Sequence, residues 1–446
     1  MPYEVVIGRN QADRERFGKK GTIFLGKHYV KMGEFVSLSN KILMDIARSH
    51  VVLVTGKRGS GKSYSLSVIA EEMAHLPEEI SKNLSIIMLD TMGVFWTMKY
   101  PNTRDEDLLE EWKMKPKGMD INLYIPTGFF EEYKKTGLPA DNRFSIKTSE
   151  LDAGDWSSVF DIKLTDSIGI LIEGSLEEAK KKFKDTYEIE DIIKIISKDK
   201  KTPQSVKNAA ENRFKNAEKW GLFSKHGTEI KDLLKRGEVT VLDLSAYSKA
   251  SGGRNIKNLA VGIISKKLLA ERIVSRKLEE LDNISLGEGM FIDTEKELEK
   301  PMVWIFIDEA HEFIGKEKYT PTSEALIQLL REGRQPGISL VLATQQPGSL
   351  RPDVLTQSDI VIGHRITAKV DIDALNSMMQ SYLLEDIQSY MNNLPRLKGA
   401  AIILDDNSER IFPTGIRPKM SWHGGEAPSA IKQAKQEIEK ILSIKF

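Results

Sequence analysis

The chain has 446 residues, of which 40% are apolar and 29% are charged, so it can bury a large core in about two or three structural units. It contains no cysteine, which excludes disulfides and thiolate metal sites. Because 65 basic residues balance 65 acidic ones, bulk charge does not favour a nucleic-acid or membrane partner, and any DNA contact needs a local basic patch.

The apolar runs are all shorter than the roughly eighteen residues that a membrane helix needs. Residues 1–10 also lack the apolar stretch of a signal peptide. We therefore expect a cytoplasmic protein that has no membrane partner.

The N-terminal segment, residues 1–40, reads as short strands with glycines at the turns. Behind it, residues 51–54 form an apolar run, and residues 56–63 then read GKRGSGKS ahead of a helix-like stretch. This is the strand, glycine-rich loop and helix of a P-loop, in which backbone N–H groups turn onto phosphate oxygens. The alternative is a glycine-rich turn without a ligand.

The P-loop pattern predicts binding of a nucleoside triphosphate. Lys62 is expected to reach the β- and γ-phosphates and to be catalytic, and the Ser63 hydroxyl is expected to hold Mg²⁺. The predicted nucleotide contacts are Gly56, Lys57, Arg58, Gly59, Ser60, Gly61, Lys62, Ser63 and Tyr64.

Further along the chain, short apolar runs alternate with helical patterns, which predicts an α/β fold with a mostly parallel sheet. The predicted strands after the P-loop are 85–90, 239–244, 303–308, 339–344 and 359–364. The long gap between the predicted strands at 85–90 and 239–244 predicts a largely helical insertion subdomain. The predicted units are an N-terminal β-rich segment at 1–40, core parts at 41–100 and 237–418, the insertion at 101–236, and a tail at 419–446 that ends in a helix.

The predicted strand at 303–308 ends in Asp308, and Glu309 follows directly, which is a Walker B pattern. Asp308 is expected to hold Mg²⁺ through water, and Glu309 to polarise the water that attacks the γ-phosphate. Two acids after a strand can also simply begin a helix, where its dipole favours them.

Polar residues near the following strand suggest further catalytic groups. Gln345 ends that strand and is positioned to contact phosphate or water, although a polar strand cap is an alternative. Arg331 and Arg334 lie before the strand, where arginines are often ordinary cations at the end of a helix. In a ring, one of them could reach a neighbour's γ-phosphate as an arginine finger, and we favour Arg334.

The order of these motifs resembles the HerA/FtsK superfamily of hexameric DNA-pumping ATPases, and within it the archaeal HerA-like branch. The similar stretches read GKRGSGKS, SIIMLDTMG, FIDEAH and LLREGRQPGISLVLATQQPGSLRPDVL. The resemblance implies a RecA-like P-loop NTPase core that uses ATP and Mg²⁺, with Lys62 and Ser63 as ligands, Asp308 and Glu309 as the Walker B pair, Gln345 as sensor and Arg334 as trans finger.

The resemblance also implies a role for Asp90 near the nucleotide, against the alternative of a turn-forming acid at a strand end. Proteins of this branch usually begin with a β-barrel that docks a nuclease, whereas only about forty residues precede the core here. A nuclease partner is therefore an open expectation.

Two glycine-containing loops offer local positive charge for DNA. Residues 248–257 contribute Lys249, Arg254 and Lys257, and residues 315–319 contribute Lys316, Lys318 and an aromatic residue. A solvated surface turn is the alternative for each loop.

The function expected from all of this is a homo-hexameric ATPase motor that moves duplex DNA through its central channel. The alternatives are a secretion or conjugation ATPase that acts on protein or nucleoprotein, and a nucleotide-switched scaffold for a partner.

Overall fold

The structure, a computed structural model, describes residues 4–32, 35–250, 252–286, 300–317, 319–378 and 387–425. Lys318 and the helix predicted for the end of the chain lie outside these ranges.

The strands in the middle of the main sheet are short apolar runs, as expected for buried strands, whereas several of the others are longer or more polar. The strands are β1 Val5–Ile7, β2 Thr22–Met32, β3 Phe35–Asp45, β4 Val51–Thr55, β5 Leu84–Asp90, β6 Ile121–Pro126, β7 Asn142–Phe144, β8 Ile146–Lys147, β9 Phe223–Ser224, β10 Val239–Asp243, β11 Met302–Ile307, β12 Ile338–Thr344, β13 Ile360–His364, β14 Ala400–Asp405 and β15 Arg410–Ile416.

The helices lie between these strands along the chain. They are α1 Gln11–Phe17, α2 Lys62–Ala74, α3 Glu78–Ser81, α4 Glu106–Glu111, α5 Thr127–Thr136, α6 Ala153–Phe160, α7 Ser167–Phe183, α8 Ile189–Lys198, α9 Gln204–Glu218, α10 Ile230–Leu233, α11 Gly253–Leu286, α12 Pro321–Glu332, α13 Pro352–Gln357, α14 Lys369–Met378 and α15 Ile387–Asn393.

One large sheet organises the fold. Within the described ranges it has thirteen strands in the order β1-β3-β2-β15-β14-β13-β4-β12-β11-β5-β10-β6-β7. The run from β13 to β7 is parallel throughout. The predicted α/β fold with a mostly parallel sheet is confirmed, and the carboxyl ends of β4, β12, β11 and β5 meet at one edge.

The segment predicted as a helical insertion divides into two parts. Its first part contains β6 and β7, which extend the main sheet beyond β10. The prediction of a largely helical insertion did not include these two strands, which belong to the main sheet although α4 and α5 lie beside them in the chain. The residues of β6 are mostly buried. The second part is helical, with α6 to α9 packed around the buried rings of Trp156 and Phe214, whose centroids are 4.9 Å apart.

The two ends of the chain also join the core. The predicted N-terminal segment is not separate, because β2 pairs with β15 and β3 continues past residue 40 to Asp45. After β15, the chain crosses helix α2, where Arg417 Nη1 lies 3.0 Å from Glu71 Oε2 and the Ser421 N–H donates to Glu71 Oε1 at 2.9 Å. Buried charges are stable only when paired in this way, so this contact anchors the start of the predicted tail to the P-loop helix.

Candidate nucleotide-binding site

The P-loop connects the end of β4 to the start of α2. Its three glycines, Gly56, Gly59 and Gly61, have φ values of 156°, 73° and 112°. A Cβ atom on Gly56 would lie 2.7 Å from the His364 Cβ, so a larger residue does not fit there. The glycines thus leave backbone N–H groups free to face an anion at the N-terminus of α2.

Lys62 is the first residue of α2, and its side chain lies back across the loop. Its Nζ donates to the Lys57 carbonyl at 3.4 Å. Burial lowers the pKa of Lys62, while the nearby carboxylates of Glu309 and Asp308 oppose that shift. A buried ammonium in a glycine-rich loop, close to two acids, is well placed to bind phosphate oxygens.

Ser63 and Asp308 meet although 245 residues separate them along the chain. The Ser63 hydroxyl donates to Asp308 Oδ2 at 2.6 Å, and the Glu309 N–H donates to Asp308 Oδ1 at 2.8 Å. Burial raises the pKa of Asp308, and the hydrogen bond from Ser63 opposes this. A hydroxyl and a carboxylate in contact at the P-loop are hard oxygen donors that fit Mg²⁺.

Glu309 has a strained backbone, with φ 52° and ψ 46° in the left-handed region. Its Oε1 accepts a hydrogen bond from Gln345 Nε2, whereas its Oε2 is buried without a hydrogen bond in the described structure. His311 Nδ1 is 3.5 Å from that oxygen and 3.2 Å from the Thr344 hydroxyl. Strain and an unsatisfied buried oxygen at one residue are typical of a catalytic group rather than of a helix start.

His364 is a site residue that sequence reasoning missed. It is fully buried beneath the P-loop, where its Nε2 lies 2.8 Å from the Ser65 hydroxyl and its Nδ1 lies 3.2 Å from the Ala400 carbonyl. Burial lowers the pKa of His364 to about 4. Since a carbonyl only accepts, Nδ1 carries the proton and the neutral ring connects α2 to β14.

A cavity of about 190 Å³ opens beside the P-loop on the β13 side. Its wall is partly apolar and partly cationic, and its side chains include Leu394, Pro395, Leu397, Arg365, Arg396, Lys398, Lys57 and Ser60. The strand order places the Walker B strand β11 on the other side of the P-loop. A triphosphate with its γ-phosphate toward β11 would therefore direct its nucleoside toward this cavity.

Two residues predicted to contact the nucleotide have other partners. Asp90 is fully buried, and its two oxygens accept from the N–H groups of Gly93 at 2.7 Å and Phe95 at 2.8 Å. These hydrogen bonds stabilise the turn after β5. They fit the alternative given for Asp90, an acid that forms a turn at the end of a strand. The Tyr64 hydroxyl accepts from the Lys419 N–H at 2.5 Å, so this side chain serves the C-terminal segment.

The two candidate arginines differ in their surroundings. Arg331 Nε donates to Asp353 Oδ1 at 3.0 Å, whereas Arg334 is exposed and pairs with no carboxylate among the described residues. Arg334 precedes β12, so it lies at the amino edge of the parallel sheet, opposite the edge where the P-loop follows β4. Arg334 therefore cannot serve the P-loop of its own chain.

The candidate DNA-binding cations lie at the carboxyl edge of the sheet. The segment predicted as the first loop is mostly helical, because Lys249 ends a 3-10 turn and Arg254 and Lys257 lie in α11. Lys249, Arg254 and Lys316 are exposed. Lys257 is a correction, because it is 6% exposed and its Nζ lies 3.5 Å from Glu312 Oε2. The apolar face of α11 carries this lysine inward, where it pairs with the loop after β11 instead of facing solvent.

Comparison with known proteins identifies relatives. The model of the helicase HerA central domain matches residues 30–268. A probable DNA double-strand break repair helicase HerA of Methanocaldococcus jannaschii is 29% identical over 38% of this chain and 35% of its own length. A probable helicase of the same organism is 24% identical over 91% of this chain and 72% of its own length.

The chain thus spans about a third of the first relative's length. Among solved structures, VirB4 of Thermoanaerobacter pseudethanolicus has a similar fold, with a TM-score of 0.55 and 13% identity over 89% of this chain and 96% of that one. Among the described residues, no helix has the length and apolar character that crossing a bilayer requires.

Proposed function

Because the chain belongs to the family of the HerA helicase central domain, we propose that this P-loop ATPase moves double-stranded DNA through the channel of a homo-hexameric ring. The observation that carries the proposal is the buried contact of Ser63 with Asp308 beside the Glu309–Gln345 pair. These groups converge at the end of the P-loop that faces β11, where hydrolysis of the γ-phosphate would occur.

Each residue has a distinct role in hydrolysis. Lys62 binds β- and γ-phosphate oxygens, and Ser63 with Asp308 would hold Mg²⁺, which neutralises charge on the phosphates when bound. The free oxygen of Glu309 accepts a hydrogen bond from the attacking water, while Gln345 fixes the other oxygen. The cavity beside Leu397 takes the nucleoside.

The position of Arg334 supports the proposal of a ring. Arg334 lies at the opposite edge of the sheet from its own P-loop and is not paired within the described residues. In a ring, that edge of one subunit can face the P-loop of its neighbour, where a guanidinium stabilises the transition-state charge. Hydrolysis would then require assembly.

Duplex DNA as the substrate is supported by the relatives' names and by the exposed cations Lys249, Arg254 and Lys316 at the carboxyl edge. Identical subunits in a ring would repeat these few cations around one channel, so a neutral chain can still attract phosphates. A nuclease partner and a cytoplasmic location complete the proposal.

The test is the rate of ATP hydrolysis by the full chain, with and without duplex DNA, on a sample of known mass from light scattering. The proposal expects a ring whose turnover rises with DNA, and loss of turnover in Lys62→Ala. A ring that hydrolyses ATP at the same rate without DNA would favour a protein substrate. ATP hydrolysis by a monomer would contradict the role of Arg334 as an arginine finger that acts on a neighbouring subunit.

A further inference from the structure

Two loops at the carboxyl edge of the sheet begin at catalytic residues and end at one surface patch. Glu309 is the second residue after β11, on the segment that leads to Tyr319, and Gln345 is the first residue after β12, on the segment that leads to Arg351. The Glu309–Gln345 hydrogen bond therefore joins the two loops at their roots.

The two loops are also joined near their far ends. Gly315 and Leu350 form an antiparallel bridge. The Arg351 N–H donates to the Ile314 carbonyl at 3.1 Å, and the Lys316 N–H donates to the Ser349 carbonyl at 2.9 Å. Because backbone hydrogen bonds connect them, a displacement of one loop would act directly on the other.

The patch itself is an aromatic ring with a cation on it. Tyr319 is 60% exposed, and the Arg351 guanidinium carbon lies 5.1 Å from the centre of its ring. Arg351 is half-buried, its Nε is buried without a hydrogen-bond acceptor, and it forms no ion pair with a carboxylate among the described residues. The Lys316 Nζ is held nearby by the Gly348 carbonyl at 2.8 Å.

We propose that Tyr319 and Arg351 form a nucleic-acid contact that responds to the state of the nucleotide site. Arg351 binds a backbone phosphate through its terminal Nη groups, since its Nε is buried, and the exposed ring of Tyr319 packs on a sugar or base. This inference rests on the proposed DNA-dependent function and adds to it the residues that connect DNA to hydrolysis.

The coupling follows from the shared root of the two loops. A γ-phosphate beside Glu309 changes the charge next to the Glu309–Gln345 hydrogen bond, and a shift of either side chain displaces both loops. Coupling between two binding sites is reciprocal, so DNA on the patch must change nucleotide affinity by the same factor.

The experiment uses the full chain and measures duplex-DNA affinity and the ratio of DNA-stimulated to basal ATP hydrolysis. Tyr319→Ala and Arg351→Ala should each weaken DNA binding by about tenfold and bring the ratio toward one. Tyr319→Phe keeps the ring and should retain the ratio. Arg143→Ala is the matched control, because Arg143 also lies over an aromatic ring, Phe130, but far along the sheet.

Salt and nucleotide dependence separate the two residues and test the coupling. Arg351→Ala should lower the slope of log affinity against log salt by about one, whereas Tyr319→Ala should not. In Gln345→Ala, a non-hydrolysable ATP analogue should no longer change DNA affinity. If the wild-type chain neither binds DNA nor responds to it, the proposed function fails. If it responds and both alanine variants respond equally, only this inference fails.

Discussion

Gln345 donates a hydrogen bond to Glu309 across the carboxyl ends of the neighbouring strands β12 and β11. The backbone of Glu309 is in the left-handed conformation, which is strained for a residue other than glycine. The hydrogen bond from the Gln345 amide fixes the position of its carboxylate. The pair leaves the other carboxylate oxygen, Oε2, buried without a hydrogen bond among the described residues and 3.5 Å from His311 Nδ1, so this oxygen can accept a hydrogen bond from a water molecule that enters the site.

Replacing Glu309 by glutamine tests that role directly. Glu309→Gln keeps the size of the side chain but removes its ability to accept the proton of the attacking water, so kcat should fall by about 10²- to 10⁴-fold. ATP affinity should change little, since the phosphate ligands remain. Steady-state kinetics and nucleotide binding measure the two effects, and a kcat within a few-fold of wild type would contradict the assignment.

The trans arginine can be tested by mixing variants. Arg334→Ala and Lys62→Ala should each reduce hydrolysis by about 10³-fold or more, whereas mixed rings should recover some activity at interfaces that keep both residues. Arg331→Ala is the control, because its exposed ion pair with Asp353 contributes only about 0–1 kcal/mol. Full activity of Arg334→Ala alone would exclude this residue as the finger.

The cavity beside the P-loop predicts a separation between nucleoside and phosphate binding. Leu397→Ala removes an apolar side chain that is 67% exposed at the edge of the cavity and should raise the KM for ATP by about tenfold. Inhibition by inorganic tripolyphosphate should not change, because it uses only the P-loop. An equal loss for both ligands would mean that the substitution disturbs the loop and not a nucleoside site.

A buried histidine predicts how stability depends on pH. His50 lies between Asp359 at 2.6 Å and Asp45 at 3.0 Å, and connects β3 to the start of β4. Burial alone would lower the pKa of His50, but the hydrogen bonds and charges of Asp359 and Asp45 raise it to about 9.

The direction of the pH dependence follows because the folded state favours the protonated form of His50. The contribution of His50, about 3 kcal/mol, should be fully present below its ordinary pKa of 6.5 and should be lost as pH rises through about 9. Denaturant unfolding between pH 6 and about pH 10 measures this loss, with His50→Gln as a comparison that should show a smaller dependence. An equal dependence in both proteins would contradict the assignment.

Several features of the fold could be predicted because their signals are local. The P-loop glycines and Lys62 lie within eight residues of one another, at 56–63. Many strands are apolar runs that end at an acidic residue or at a turn. By contrast, β6 was hidden within a segment of mostly helical pattern, since a short apolar run alone does not distinguish a sheet strand from a buried helix.

The sequence by itself determined the chemistry at the P-loop and at the ends of β11 and β12, because each motif depends on neighbouring residues with fixed spacing. Only the tertiary structure decided which groups meet. It brought Ser63 to Asp308 and His364 beneath the loop, turned Lys257 inward, and placed Arg334 at the opposite edge. These outcomes depend on strand order and on the direction of each chain segment, which link residues hundreds of positions apart and leave no mark in the local pattern.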